Sequence, residues 1–277
     1  MTRTTQRITK YILPAVFLLP AANGLADEYQ WELDAHFHQT DTSTTDIDNM
    51  SVSGTYYFSP VETRDHPLAE AAFLERRSSL SVRQSRVDRS SRDREITTEL
   101  GSYTIRGTDS TIDTTDVSAE VYVPGDLFYV GLTARRFDYG SGLPLSSDTT
   151  WNASLGLTPM EGLLVYSSFY EDQDLDESWN LNAKYVFDHF GPTLAIRANY
   201  DYSDFGQDQA SLALDYYVDR TLSVGYRRSE GVGSGPRVTD THQLSVRKFF
   251  TDRWSLSGFY YDVGELDGFG VEAAVRF

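Results

Sequence analysis

The chain has no cysteine in its 277 residues. That excludes a disulfide framework, a thiolate nucleophile and any metal site built on thiolates. Positive charge is also scarce, with 24 Lys and Arg against 41 Asp and Glu and a formal charge of −17. Nucleic acid is therefore not an expected partner, because its binders need a basic footprint. Beyond residue 26 no apolar run approaches the roughly 20 residues of a membrane-spanning helix. The mean hydropathy of −0.41 would look soluble for a helical protein, but a membrane barrel escapes that test, since only alternate residues meet lipid.

What is present begins with an export signal. Arg3, Arg7 and Lys10 form a positive start, Tyr11 to Ala22 an apolar stretch, and Gly24-Leu25-Ala26 a small-residue cleavage site. Residues 1–26 thus read as a cleaved signal peptide and 27–277 as one mature domain. The stretch is too short to span a bilayer and contains Pro14 and Pro20.

The mature region is dominated by period-two alternation. At its end Phe269, Val271, Ala273, Val275 and Phe277 are apolar at every second position, so one face meets oil and the other does not. Tyr29, Trp31, Leu33, Ala35 and Phe37 alternate with Glu28, Gln30, Glu32, Asp34, His36 and His38 near the start, and Met50, Val52, Gly54, Tyr56 and Phe58 with Ser51, Ser53, Thr55 and Tyr57 after it. Similar runs follow at 77–88, 115–123, 127–138, 149–158, 163–171, 178–187, 193–202, 209–218, 222–229, 241–250 and 254–262. Each is about 8–12 residues, the length a tilted strand needs to cross hydrocarbon.

The connections fall into two classes. Pro124 to Asp126, Pro159 to Gly162, Asp188 to Pro192, Asp219 to Thr221 and Thr251 to Arg253 are tight; Tyr139 to Asp148, Glu171 to Glu177, Ser203 to Asp208 and Glu230 to Asp240 are longer and polar. Short periplasmic turns and longer outer loops are expected of a bacterial outer-membrane barrel. The fold expected is all-β: a transmembrane antiparallel up-and-down barrel of about 14 strands, with 16 or 12 as alternatives. Segment 89–114, rich in Ser, Thr, Asp and Arg, reads as a long outer loop, a local hairpin or a piece folded into the lumen. Residues 67–74, helix formers after Pro67, predict a short helix in a periplasmic turn.

Gly54 to Val61 (Gly-Thr-Tyr-Tyr-Phe-Ser-Pro-Val), followed by Pro67 to Arg76 (Pro-Leu-Ala-Glu-Ala-Ala-Phe-Leu-Glu-Arg), resembles the putative general bacterial porin family. The resemblance implies a Gram-negative outer-membrane barrel acting as a porin-like passive channel, and it assigns no catalytic residue. The last strand, ending on an aromatic residue, also resembles the signal read by the outer-membrane barrel assembly machinery.

Alternation sorts the charges. The lumen face is expected to carry Arg77, Arg83, Arg135, Lys184, Arg197, Arg227, Arg247 and Arg276, with the acids Glu28, Glu32, Asp34, Glu120, Asp201, Asp215 and Glu272. On the lipid face Arg or Lys would cost roughly 2–4 kcal/mol at the midplane. Arg197, Arg227 and Arg247 read as a basic ladder, and facing walls of opposite sign would set up a transverse field that screens solutes by charge. Trp31, Trp151, Trp179, Trp254 and Phe277 suit the interface girdles. His36 and His38 share a strand face with Asp34, yet no second ligand cluster is in view, so they read as lumen lining rather than metal ligands. The acidic stretch Glu171, Asp172, Asp174, Asp176 and Glu177 reads as a solvated loop, with cation bridging to lipopolysaccharide as the alternative.

Taken together, these features lead to a porin: a passive channel for small hydrophilic solutes, with outer-membrane lipid and lipopolysaccharide as surroundings and a homotrimer as one possible assembly. A barrel anchor or adhesin with a plugged lumen is the alternative. An outer-membrane hydrolase is weaker still, since His36, His38 and His242 are the only candidate wall bases and none has a serine at a suitable spacing. No metal, cofactor or catalytic residue is expected.

Overall fold

The computed structural model describes residues 28–42, 44–63, 66–98, 101–123, 125, 127–140, 146–171, 173–187, 193–204, 208–232, 240–264 and 266–277. The expected signal peptide, the tight turn Asp188 to Pro192, Pro124 and Asp126 of another, Asp172 of the acidic loop, half of each of the links 139–148 and 203–208 and most of the link 230–240 lie outside them.

The period-two segments form strands β1 (Glu28–Asp41), β2 (Thr45–Glu62), β3 (Ser79–Ser91), β4 (Arg94–Thr98), β5 (Gly101–Ile105), β6 (Asp109–Tyr122), β7 (Phe128–Tyr139) and β8 (Asp148–Met160). They continue as β9 (Leu163–Tyr170), β10 (Ser178–Phe187), β11 (Leu194–Ser203), β12 (Asp208–Asp219), β13 (Leu222–Val232), β14 (Thr241–Thr251), β15 (Trp254–Val263) and β16 (Leu266–Arg276). Fourteen of them close into one antiparallel barrel, as the alternation predicts. The seam pairs β1 with β16, from Glu32 opposite Arg276 to Asp41 opposite Asp267. Closure leaves the barrel no edge, so each of its fourteen strands finds its backbone partners within the wall, as a lipid environment demands.

Segment 89–114 resolves into three parts. Its ends continue β3 and β6, which pair directly from Ser79–Glu120 to Ser90–Asp109. Between them β4 and β5 form a separate two-stranded hairpin that joins no barrel strand. The local-hairpin reading is the one the backbone adopts.

Large apolar side chains on the outer parity are exposed, among them Leu33, Val52, Leu181, Leu212, Val246 and Val271. In water such a surface would be untenable; in a bilayer it is the apolar band of a barrel. Trp31, Trp254 and Phe277 sit at the end bearing the tight turns, while Trp151 and Trp179 sit at the other. Trp31 packs on Tyr56, Trp179 stacks on Tyr202, and Trp254 stacks on Phe250.

One predicted lumen residue is displaced. The β1–β2 register shifts between Tyr29 and Trp31, and such an irregularity breaks the alternation. Tyr29 is buried whereas Trp31 is 47 % exposed, although both positions are odd. Glu28 therefore falls on the exposed rim, opposite Glu62, rather than in the lumen.

The larger correction concerns the β2–β3 connection. It contains the expected helix, reduced to α1 (Ala71–Leu74), but it is not a plain turn at the rim. It folds back into the barrel, and the three buried apolar clusters among the described residues all involve it. Leu74 packs with Val186, Ala195 and Tyr217; Ala71 with Tyr29 and Val61; Phe73 against Tyr122, Tyr129 and Leu164. The short helix ends at Arg76, whose φ of 52° is left-handed, a common way to stop a helix. Its guanidinium donates to the carbonyls of Thr158 and Met160 at 3.2 and 2.9 Å, which offsets the cost of that backbone conformation.

Outward parity makes a direct prediction. Val271→Arg should destabilise the barrel by about 2–4 kcal/mol in lipid if it lies near the midplane, while Val271→Leu should be nearly neutral. Urea unfolding in vesicles, followed by tryptophan fluorescence, measures both.

The lumen as candidate functional site

Fourteen strands about 4.8 Å apart and tilted ~40° enclose a backbone ring roughly 28 Å across. That is too wide for side chains from opposite walls to fill, as they do in barrels of ~8 strands. The interior is instead divided by the inward segment 67–77, which rests on polar contacts as well as apolar ones. Glu70 is buried, meets Lys184 Nζ at 2.6 Å and accepts from the Tyr217 hydroxyl at 2.7 Å. Lys184 also lies 4.1 Å over the Phe73 ring. Arg276, only 6 % exposed, donates to the Leu68 carbonyl at 2.7 Å and pairs with Glu32 across the seam. Its guanidinium is sandwiched near Tyr29 and Phe249, 4.6 and 4.7 Å from their ring centres. The Leu68 amide donates to the Arg220 carbonyl at 2.9 Å. Glu75 accepts from Arg77 at 2.8 Å and from the Glu62 amide at 2.9 Å.

Several of the remaining predicted charges are paired on the inner wall. Asp34 accepts from Ser53 at 2.6 Å; Arg135 meets Asp116 at 2.6 Å; Arg247 meets Glu272 at 2.8 Å; Arg197 pairs with Asp215. Asp201 accepts weakly from Asn199. Arg83 stands between Ser53 and Asp116 in register. Arg197, Arg227 and Arg247 share a face but do not make a ladder of free charge, because the outer two each hold a carboxylate. His36 stacks on Phe259 and His38 bonds the Tyr261 hydroxyl at 2.6 Å. His242 points outward to Tyr226.

Above the inward segment lies a chamber of about 530 Å³. Its wall carries Arg77, Glu120, Lys184, Arg197 and Arg227, set among Asn, Ser and Thr side chains and the tyrosines 57, 122, 129 and 166. Sequence reasoning missed Glu70, Glu75 and Asp116. Asp116 has the same parity as Glu120 and was accessible by that rule. Glu70 and Glu75 were not, because nothing local says that a turn will reverse into the barrel.

A closed barrel of this strand number, with an apolar outer band and a charged, partly open interior, defines the class of outer-membrane channels. The chain belongs to the family described as putative general bacterial porins, whose model matches residues 8–276; it is an outer-membrane porin. Its fold is similar to the crystal structure of the Acinetobacter baumannii outer membrane protein Omp33, with a TM-score of 0.67 and 19 % identity over 91 % of this chain and 99 % of that one. The KdgM porin in complex with disordered oligogalacturonate matches with a TM-score of 0.43 and 12 % identity over 89 % and 99 % of the two chains. Salmonella typhi OmpF, in complex with daunomycin, gives 0.40 and 11 % over 90 % and 97 %. No curated protein matches the chain in sequence. The porin family and fold are typically those of non-enzymatic channels.

The Glu70–Lys184 contact should hold the inward segment in place. Lys184→Met leaves a buried carboxylate with only Tyr217, at a cost of about 3 kcal/mol. Amide hydrogen exchange should accelerate at 68–77 while the barrel strands keep their protection.

Proposed function

We propose that the protein is a passive channel for small hydrophilic solutes, with its narrowest part set by segment 67–77. The observation that carries this reading is the polar, ion-paired wall around a 530 Å³ chamber inside a barrel too wide to fill itself. Charges in such a wall are tolerable only when wet or paired, and here both conditions occur. The lumen charges Glu32, Asp34, Arg77, Arg83, Glu120, Arg135, Lys184, Asp201, Arg197, Asp215, Arg227, Arg247, Glu272 and Arg276 are pore-lining in this reading. Trp31, Trp151, Trp179, Trp254 and Phe277 anchor the barrel at the two interfaces.

The same reading includes the rest of the protein's life. Residues 1–26 direct export and are removed; the barrel assembly machinery inserts the mature chain beside lipopolysaccharide and other outer-membrane lipid; small solutes are the cargo. Association into a homotrimer is compatible with the family's channel role. The protein is not an enzyme in this account; among the described residues His36 stacks on Phe259, His38 is held by Tyr261 and His242 faces outward.

Single-channel recording in a planar bilayer tests it. Replacing 68–77 by a Gly/Ser linker of equal length should enlarge the unit KCl conductance several-fold, with heat-modifiable gel mobility confirming a folded barrel. Equal conductance of the two proteins would remove the segment from the solute path, and silence from both would favour a plugged anchor or adhesin.

A further inference from the structure

The chamber above the inward segment has an asymmetric charge balance. Five charged side chains line it, and three are neutralised: Arg77 by Glu75, Lys184 by Glu70 and Arg197 by Asp215. The other two, Arg227 and Glu120, have no salt-bridge partner among the described residues. Glu120 has the Tyr129 hydroxyl as a hydrogen-bonding neighbour; Arg227 has none. Both side chains are exposed to the lumen interior.

Their positions are opposite. Glu120 is on β6 and Arg227 on β13, seven strands apart whichever way the ring of fourteen is followed. Arg227 is also backed by a second guanidinium. Arg197 and Arg227 both register with Ala213 on the strand between them, and all three line the chamber. The Arg197 Nε is buried without a hydrogen-bond partner, an orphan donor of the kind a native structure rarely leaves unexplained. Asn182, Asn199 and Ser211 add neutral donors and acceptors on the same wall.

We propose that this chamber is a binding site for a small peptide-like zwitterion, its carboxylate on the Arg197–Arg227 wall and its ammonium toward Glu120. The Arg227 guanidinium, which holds no carboxylate of its own, is suited to the planar carboxylate. A carboxylate of the wall with Tyr129 beside it supplies acceptors for the three ammonium donors. The two groups approach from opposite walls, so a solute serving both at once carries its charges several bonds apart, as a short peptide does. An α-amino acid, with both charges on one carbon, serves one wall at a time. An extended peptide gains about 3.3–3.6 Å per residue, so length becomes a selectable property. This inference deepens the channel reading and rests on it for its physiological meaning, but the site can be assayed without transport.

Calorimetric titration of the folded full-length barrel in detergent with triglycine is the test, alongside glycine, N-acetyltriglycine and triglycine amide. Triglycine is expected to bind at least tenfold tighter than each of the others. Arg227→Gln should lose the preference for triglycine over its amide, and Glu120→Gln the preference over the N-acetyl form. Heat-modifiable mobility and an unchanged strand circular dichroism spectrum confirm that each variant is folded. Failure of triglycine to bind the folded wild-type barrel, or equal binding of all four ligands, would overturn the proposal. A KCl conductance measured on the same preparation separates the two ideas: conductance without triglycine binding removes the site and leaves the channel, and binding without conductance does the reverse.

Discussion

The seam between β1 and β16 is the constraint on which everything else depends. In hydrocarbon an open sheet edge would leave a row of unpaired backbone groups, each costing several kcal/mol, so the sheet closes or does not insert. Arg276 stands at that seam with Glu32 opposite and the Leu68 carbonyl in reach. The same guanidinium that joins the last strand to the first also ties down the inward segment. Barrel closure and lumen occlusion are thereby coupled through one buried cation, with the Tyr29 and Phe249 rings covering its faces.

From that closure the division of the protein into two solvents follows. Outward parity is apolar and ends in aromatic residues; inward parity is polar and largely ion-paired. The pairing has a functional consequence. Most lumen charges are neutralised by a nearby partner on the wall or on the inward segment, so the field across the chamber is set by the few that are not. A count of basic and acidic residues overstates the fixed charge a passing solute meets, and the bulk acidity of the chain says little about the lumen.

The barrel was legible in the sequence because its signal is local: Trp179, Leu181 and Ala183, or Ala210, Leu212 and Leu214, state their face within five residues. The even strand number and the two classes of connection followed from the same rule. What failed to read out is non-local. Glu28 has the parity of Glu32, but a register shift driven by the β1–β2 pairing moved it to the rim. The helix at 67–74 was visible from its helix formers, yet its reversal into the lumen depends on Lys184, Tyr217 and Arg276, more than a hundred residues away. The pairing of Arg197 with Asp215 needed a register that only the folded wall supplies, so a ladder of three free arginines became one free arginine between two occupied ones.

The central claim is that one parity of each strand faces lipid and the other a hydrated lumen. A chain without cysteine permits a clean measurement: single cysteines at 209, 211, 212 and 214 on β12, each exposed to a charged, membrane-impermeant thiol reagent after insertion into vesicles. Reaction at 209 and 211 with protection at 212 and 214 is the result this account predicts. Equal labelling at all four positions, or labelling confined to 212 and 214, would contradict it.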